Sequence, residues 1–300
     1  MSTTTAAVNT ERFSSFMQKL RDYTQFLKIR LASLVVFSSG IGYAIAAGSA
    51  FDVVQFFWLV LGGFLIVGAS NGINQIIERD SDQLMARTAN RPVATGRMSV
   101  WEAALIALIT GIAGVIIIGL TTNRLSAALG LMSLLSYAFV YTPMKKRSPF
   151  AVFIGAFPGA LPILIGYAAF NGQLNLESGL LFLVQFIWQF PHFWAIAWVL
   201  HDDYGKAGFR LLPNAGEPSR KNAFQILWYT ASLIPFSLAP VYYGFAGNWA
   251  AGICLLAGLF FAWQAWVLYR KLDKTSARSL MFGSFLYLPL VQLIYLIDKI

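Results

Sequence analysis

The chain has 300 residues, of which 57% are hydrophobic and only 12% are charged, and its formal net charge is +9. A soluble domain carries about 25% charged residues, so this chain has too little polar surface to cover a globular fold in water. Its single cysteine excludes an intrachain disulfide and any cysteine-based zinc or iron–sulfur site. The composition therefore indicates a polytopic membrane protein.

Residues 1–30 precede the first long apolar stretch and combine Phe, Met and Leu with Lys and Arg. From residue 13 onward this mixture predicts a helix that lies at the membrane surface. The start, MSTTTAAVNTERF, contains neither a basic stretch leading into an apolar one nor a long Arg/Ser-rich transit segment. We therefore expect residues 1–30 to be a cytoplasmic or interfacial segment of one membrane domain, 1–300, in a bacterial inner membrane.

Nine apolar stretches are long enough to cross the hydrocarbon layer as helices, which satisfy their own backbone hydrogen bonds there. We predict them at residues 31–48, 54–77, 100–120, 126–141, 150–169, 177–200, 222–244, 248–269 and 280–297. The expected fold is all-α, with nine transmembrane helices around a central cavity that opens to the cytoplasmic side.

Positive charge is confined to alternate connections between these stretches. All but two of the 22 lysines and arginines lie in the N-terminal segment or in residues 78–99, 142–149, 201–221 and 270–279. The exceptions are Arg124 and Lys299. By the positive-inside rule the basic connections are cytoplasmic, which puts the N-terminus inside and the C-terminus outside. The net charge thus requires no nucleic acid partner, and its surplus suits an anionic substrate.

The second apolar stretch runs into an acidic segment. Asn74, Glu78 and Asp82 recur every four residues, so a helix that continues through them presents one amide and two carboxylates on one face. Carboxylates at that spacing repel each other, and Mg²⁺, which takes oxygen ligands and substrate phosphates, would remove the repulsion. Arg87 and Arg91 follow, and guanidinium groups suit phosphate oxygens. The pattern predicts a metal-bridged diphosphate site, although a solvated helix end with local ion pairs is the alternative.

The sixth apolar stretch contains W-Q-F-P-H-F and then reaches Asp203. His192 follows Pro191 inside a membrane segment, where polar side chains usually face a cavity. Neutral imidazole is a common iron ligand. A lone histidine in a helix more often has a structural, hydrogen-bonded role, so the residues alone leave both interpretations open.

The pattern N-x-x-x-D/E-x-x-x-D-x-x-M-x-R-T-x-x-R-P at 74–92 resembles the signature of the haem O synthases (protohaem IX farnesyltransferases), a branch of the UbiA-type intramembrane prenyltransferases. The W-Q-F-P-H-F segment with Asp203, and Y-T-P-M-K-K-R at 141–147, resemble the same family. The resemblance runs from about Lys28 to the ninth apolar stretch. One departure is Val199, where the wider superfamily often has a second acid; a further one is Ile29, where relatives often have proline.

The resemblance implies that a farnesyl group is transferred from farnesyl diphosphate to a vinyl group of haem B, with addition of water, to give haem O and diphosphate. The implied Mg²⁺ ligands are Asn74, Glu78, Asp82 and Asp203, and the implied diphosphate contacts are Arg87, Arg91, Lys146 and Arg147. The resemblance also implies that His192 lies in the haem pocket, as an iron ligand or as a group that orients the porphyrin. Haem B is then a substrate, and the expected downstream partners are a haem A synthase or terminal oxidase assembly factors.

Three other functions compete with this interpretation. The same fold acting on another aromatic or quinone-precursor acceptor is disfavoured by Pro191-His192 and by the missing acid at Val199. A transporter would place its acids near mid-membrane, whereas Glu78, Asp82 and Asp203 lie at cytoplasmic helix ends. A haem-binding assembly protein without catalysis would have no use for the carboxylate–arginine pattern.

Overall fold

The computed structural model describes residues 16–214 and 217–300, and these are predominantly helical. Residues 16–27 form helix α1. Nine long helices follow: α2 (Ile29–Ala47), α3 (Val53–Ile77), α4 (Val100–Thr121), α5 (Arg124–Met144), α6 (Ala151–Asn171), α7 (Leu176–Val199), α8 (Arg220–Tyr242), α9 (Asn248–Lys271) and α10 (Lys274–Ile297). Each of the nine is long and apolar enough to cross a membrane, which confirms the predicted all-α polytopic fold. The central cavity on the cytoplasmic side stays a prediction.

The largest difference from the expected bounds is at α10, which begins six residues earlier than residue 280. Asp273 caps this helix, and its carboxylate accepts a hydrogen bond from the backbone N–H of Ser276 at 2.6 Å. A capped N-terminus lets Lys274 and Arg278 join the first two turns although both are charged. Apolar content alone therefore marked the apolar core of α10 and missed its N-terminal end.

The helices form two groups that each close on themselves. In the first, α2 to α6 pack in chain order and α6 returns to α2; in the second, α7 to α10 pack in chain order and α10 returns to α7. The contacts of α6 with α7, and of α10 with α2, join the two groups. The acidic segment after α3 and the one after α7 thus leave different groups at the same end of the bundle.

Two glycines let α2 and α6 approach closely. A methyl group on Gly42 would overlap the backbone carbonyl of Ile163, and one on Gly166 would overlap the carbonyl of Ser39. In lipid, where apolar side chains gain little by meeting each other, such close backbone packing is a main source of helix association. The α2–α6 contact therefore closes the first group through backbone proximity.

Helix α1 is docked against the ends of α3 and α4. Asp22 pairs with Arg97 at 3.0 Å, and the Gln75 side chain donates to the backbone carbonyl of Phe26 at 2.8 Å. The Gln75 bond joins α1 to α3, the helix that leads into the first acidic segment, and the Arg97 pair joins α1 to the loop before α4. The predicted interfacial placement of residues 1–30 stays a prediction, and its first part, residues 1–15, lies outside the described ranges.

Candidate active site

The first acidic segment lies at the end of α3, and its polar side chains point inward. Asn74, Glu78 and Asp82 are 2%, 4% and 0% exposed. The helix does not run through them unbroken: α3 ends at Ile77, Glu78 is its cap, and a short helical turn, Arg79–Asp82, follows. The Asp82 N–H donates to the carbonyl of Glu78 at 2.7 Å, so the four-residue spacing of the side chains survives the break.

Each buried carboxylate is balanced by one cation. The guanidinium of Arg91 donates from Nη1 to both carboxylate oxygens of Asp82, at 2.7 and 2.6 Å. Glu78 Oε1 lies 2.6 Å from the Lys145 ammonium, as an ion pair without hydrogen-bond geometry. Burial raises the pKa of Asp82 above its usual value, and the Arg91 contact opposes that rise. Burying two unbalanced carboxylates would be costly, so these two cations stabilise the site.

The second acidic segment meets the first across the molecule. Asp203 lies in a short helical turn after α7, and its carboxylate accepts hydrogen bonds from the backbone N–H groups of Ala86 at 3.0 Å and Arg87 at 3.5 Å. Burial acts to raise the pKa of Asp203, but these bonds and the nearby Lys206 ammonium outweigh it and lower that pKa. The anionic form of Asp203 therefore holds the loop that follows Asp82.

Lys28 is a third basic residue near this site. It connects α1 to α2 with a left-handed backbone conformation, φ 50°, which is uncommon for a residue with a side chain. Burial, together with the like charges of Arg91 and Lys145, holds the pKa of Lys28 well below its usual range, while Glu78 and Asp82 act in the opposite direction. The amino group of Lys28 therefore lies close enough to both ion pairs for their charges to affect its pKa.

The basic turn after α5 contributes a different lysine from the expected ones. Lys145 is 9% exposed, and its ammonium lies 5.0 Å from the ring centre of Tyr141 and 5.5 Å from that of Phe209. Lys146 and Arg147, the two predicted diphosphate contacts, lie in the exposed part of the same turn. Their proposed role stays a prediction, as does that of the exposed Arg87. Lys145 was missed because three adjacent basic residues give no sequence signal for which one points inward.

The oxygen donors at the end of α3 suit a divalent metal ion, although they do not form a complete metal centre. Within 16–214 and 217–300, no three carboxylate, imidazole or thiolate groups converge as a preformed cation site. The donors at the end of α3 are nevertheless hard oxygens, as Mg²⁺ prefers, and the Glu78 oxygen that faces Lys145 has no hydrogen-bond donor. Asn74 uses its amide N–H₂ to donate to Thr142 at 3.2 Å, which turns the amide nitrogen toward α5. The donor chemistry therefore fits Mg²⁺. In the structure, Lys145 and Arg91 supply the positive charge that balances these donors.

His192 lies on α7, away from the carboxylates, among aromatic rings. Its Nδ1 lies 2.8 Å from the hydroxyl oxygen of Ser284 on α10. The Trp188 ring stacks on the imidazole with centres 4.4 Å apart, and Phe193 and Phe285 meet it edge-on at 5.3 and 5.2 Å. Ser284 was not predicted as a partner of His192, because it lies 92 residues away along the chain.

The two remaining polar groups after α7 point elsewhere. Asp202 is exposed and pairs with Lys274 at the start of α10, at 3.4 Å. His201 Nε2 lies 3.3 Å from the exposed carboxylate of Glu217. These contacts favour surface roles for Asp202 and His201. Asp203 is then the acid of this segment that reaches the acidic segment after α3.

Comparison with known proteins identifies the family. The model of the UbiA prenyltransferase family matches residues 35–288. A protoheme IX farnesyltransferase from Cytophaga hutchinsonii is 46% identical over 278 residues, which cover 93% of this chain and 97% of that protein. One from Christiangramia forsetii is 45% identical over 285 residues, covering 93% and 94%.

Solved structures share the fold at low sequence identity. The structure of a digeranylgeranylglyceryl phosphate synthase superposes with a TM-score of 0.79 at 18% identity, covering 94% of this chain and 98% of the other. A UbiA homolog from Archaeoglobus fulgidus bound to GPP and Mg²⁺ superposes with a TM-score of 0.68 at 15% identity, covering 91% and 99%. At these identities the likeness concerns the fold alone.

Proposed function

The chain belongs to the UbiA prenyltransferase family, and from that premise we propose that it transfers a farnesyl group from farnesyl diphosphate to a vinyl group of haem B. The products are haem O and diphosphate. Relatives that match nearly the whole chain and are named protoheme IX farnesyltransferase support this choice of substrates. The bond from Asp203 to the backbone of Ala86 is the geometric observation that supports it, because it brings the two acidic segments into contact.

The side chains at this site suit a diphosphate leaving group. As the bond between C1 of the farnesyl chain and the diphosphate oxygen breaks, negative charge grows on the diphosphate. Preorganised cations stabilise that charge more strongly in a site that excludes water than in bulk solvent. Arg91 and Lys145 are the buried cations of the site that can take this role. Arg87, Lys146 and Arg147 lie at its exposed side and complete the proposed diphosphate contacts.

A divalent cation fits the same site. We assign Asn74, Glu78, Asp82 and Asp203 as the groups that hold Mg²⁺. When bound, Mg²⁺ supplies positive charge to the leaving diphosphate. Arg91 and Lys145, which balance Asp82 and Glu78 in the structure, are then available to diphosphate oxygens. A UbiA homolog from Archaeoglobus fulgidus with GPP and Mg²⁺ bound supports the use of a divalent cation by this fold.

The acceptor side of the reaction requires a carbon nucleophile and one water molecule. The terminal vinyl carbon forms a bond to C1 while diphosphate leaves with the electron pair. Water then adds to the resulting cation and releases a proton, which leaves a hydroxyethylfarnesyl group. The aromatic surroundings of His192 suit a flat porphyrin, and apolar walls keep other water away from the cation.

We also propose where and with what the protein works. It lies in the bacterial inner membrane, and farnesyl diphosphate reaches it laterally from the lipid with its charged head at the cytoplasmic rim. The N-terminus is cytoplasmic and the C-terminus external, as the distribution of Lys and Arg predicts. The product passes to a haem A synthase or to terminal oxidase assembly.

The test is farnesyl transfer by the purified protein. Incubation with haem B, farnesyl diphosphate and Mg²⁺, followed by mass analysis of the pigment, should yield haem O. Asp82→Asn should abolish transfer, because the neutral amide loses the charge that holds the metal and Arg91. Asp80→Asn is the matched control, since Asp80 is exposed and pairs locally with Arg79 at 3.1 Å.

Two results would contradict the proposal. Full activity of Asp82→Asn would remove that residue from the metal site. Prenylation of a quinone precursor, with haem B left unchanged, would favour the same fold acting on another aromatic acceptor.

A further inference from the structure

Two residues one turn apart on α7 both bond to Ser284 of α10. Trp188 donates its indole N–H to the backbone carbonyl of Ser284 at 2.9 Å, and His192 contacts the Ser284 hydroxyl oxygen at 2.8 Å through Nδ1. The Trp188 ring also lies against the imidazole, with 21° between the ring planes. The position and the plane of the His192 ring are therefore both defined.

The hydrogen bonds around Ser284 determine which imidazole nitrogen carries the proton. The Ser284 hydroxyl donates its only proton to the carbonyl of Met281, at 2.6 Å, and a carbonyl oxygen can only accept. The contact between Ser284 and His192 must then use an N–H of the imidazole. Nδ1 is therefore protonated, and Nε2 of the neutral ring carries the free lone pair.

The free nitrogen has surroundings that suit a metalloporphyrin. Within residues 16–214 and 217–300, Nε2 of His192 has no hydrogen-bond partner. Phe193 and Phe285 pack edge-on against the imidazole ring, and Phe193 also contacts Tyr141, with 6.4 Å between the ring centres. Tyr141 in turn lies under the Lys145 ammonium of the acidic site. Aromatic contacts thus connect the imidazole to the place where the diphosphate is expected.

We propose that Ser284 is a positioning residue that holds His192 in the Nδ1-protonated form and so presents the Nε2 lone pair to the iron of the porphyrin acceptor. Histidines that bind metals almost always donate their other N–H to a fixed oxygen, and loss of that partner typically costs 10–100-fold in metal affinity. The inference rests on the proposed function, because that function supplies the iron porphyrin.

The test compares ferric haem B with metal-free protoporphyrin IX as ligands of the purified protein. Wild-type protein should show the absorption and electron paramagnetic resonance signature of histidine-ligated haem. Ser284→Ala should weaken haem binding by about 10–100-fold and alter that signature, while its affinity for protoporphyrin IX stays unchanged. Ser284→Thr, which keeps the hydroxyl group, should restore haem binding.

Ser237→Ala is the matched control. Ser237 is also fully buried, its hydroxyl donates to the carbonyl three residues earlier, and its own carbonyl accepts from an aromatic side chain, Tyr295. It differs from Ser284 in having no histidine partner, so Ser237→Ala should bind haem as the wild type does.

Three results would overturn the inference: a wild-type spectrum without histidine ligation, equal haem binding by Ser284→Ala and Ser237→Ala, or equal losses for haem and protoporphyrin IX. If Ser284→Ala does not fold, His192→Ala decides: loss of the signature and its return with added imidazole support ligation, and an unchanged signature contradicts it. A wild-type protein that ligates haem but does not farnesylate it would contradict the proposed function and leave this inference standing.

Discussion

At the scale of single residues, the buried charges of the site balance one another. Asp82 and Glu78 are buried, and each has one cation, Arg91 or Lys145, within 2.6 Å. Breaking a buried pair of this kind typically costs about 3–5 kcal/mol, because one charge remains without a partner. The same cations are the ones best placed for the diphosphate, so stability and catalysis depend on the same side chains.

We expect Lys145→Met to lower farnesyl transfer by about 100-fold or more, since the removal of one preorganised donor at a developing charge has an effect of that order. Lys145→Arg should keep part of the activity because it keeps the charge. Lys146→Met should lose less, because Lys146 is exposed. Steady-state rates of haem O formation, measured on folded detergent-purified variants, decide the order. A loss in Lys146→Met as large as that in Lys145→Met would show that the exposed part of the turn binds the diphosphate.

At the scale of helices, backbone contact between α2 and α6 closes the first group of the bundle. Gly166 and Gly42 make that contact, and neither position has room for a methyl group. Helix α2 begins directly after Lys28, so the position of α2 against α6 also affects where the Lys28 side chain lies. Helix packing and site geometry are coupled at this point.

Gly166→Ala should therefore lower the thermal unfolding temperature, with a cost of about 1–3 kcal/mol for overpacking. Gly252→Ala on α9 is the matched control, because a methyl group there meets nothing within 4 Å. Both changes gain about 1 kcal/mol of helix propensity, so the difference between them isolates the steric overlap. If both variants unfold at the same temperature, α2 and α6 are not in backbone contact.

At the scale of the whole molecule, charge is arranged by membrane face. Lys299, one of the two basic residues outside the predicted cytoplasmic connections, pairs with Glu177 at 3.3 Å and donates to the carbonyl of Ile45. Tyr167 also donates to Glu177, at 2.6 Å. Lys299 thus stabilises helix packing at the end of the bundle opposite to the acidic site. Its charge is balanced by Glu177, so it does not weaken the predicted orientation.

Cysteines at the two ends of α9 test that orientation. In intact spheroplasts, a membrane-impermeant maleimide should label Asn248→Cys, whose position is exposed at the predicted external end. It should label Thr275→Cys, just beyond the other end, only after the membrane is permeabilised. The native Cys254 is fully buried and should stay unlabelled in both. The reverse pattern of labelling would invert the proposed topology.

The sequence by itself determined the helices and the chemistry of the acidic segments. Apolar length identifies membrane helices because lipid offers no partner to an unpaired backbone group, and the spacing of Asn74, Glu78 and Asp82 identifies a shared helix face. Such signals are local, and each can be read within one segment. The predicted bounds, residues 54–77, end this helix just before Glu78, and the structure makes Glu78 the cap of α3.

Only the tertiary structure decided which groups meet. Lys145 faces Glu78 while its neighbours Lys146 and Arg147 face outward, Asp203 bonds to the loop at Ala86, and Ser284 fixes the proton of His192. These pairings join segments that are tens of residues apart, and no periodicity within a segment encodes them. They follow from how the helices pack within and between the two groups, because that packing sets which buried group meets which partner.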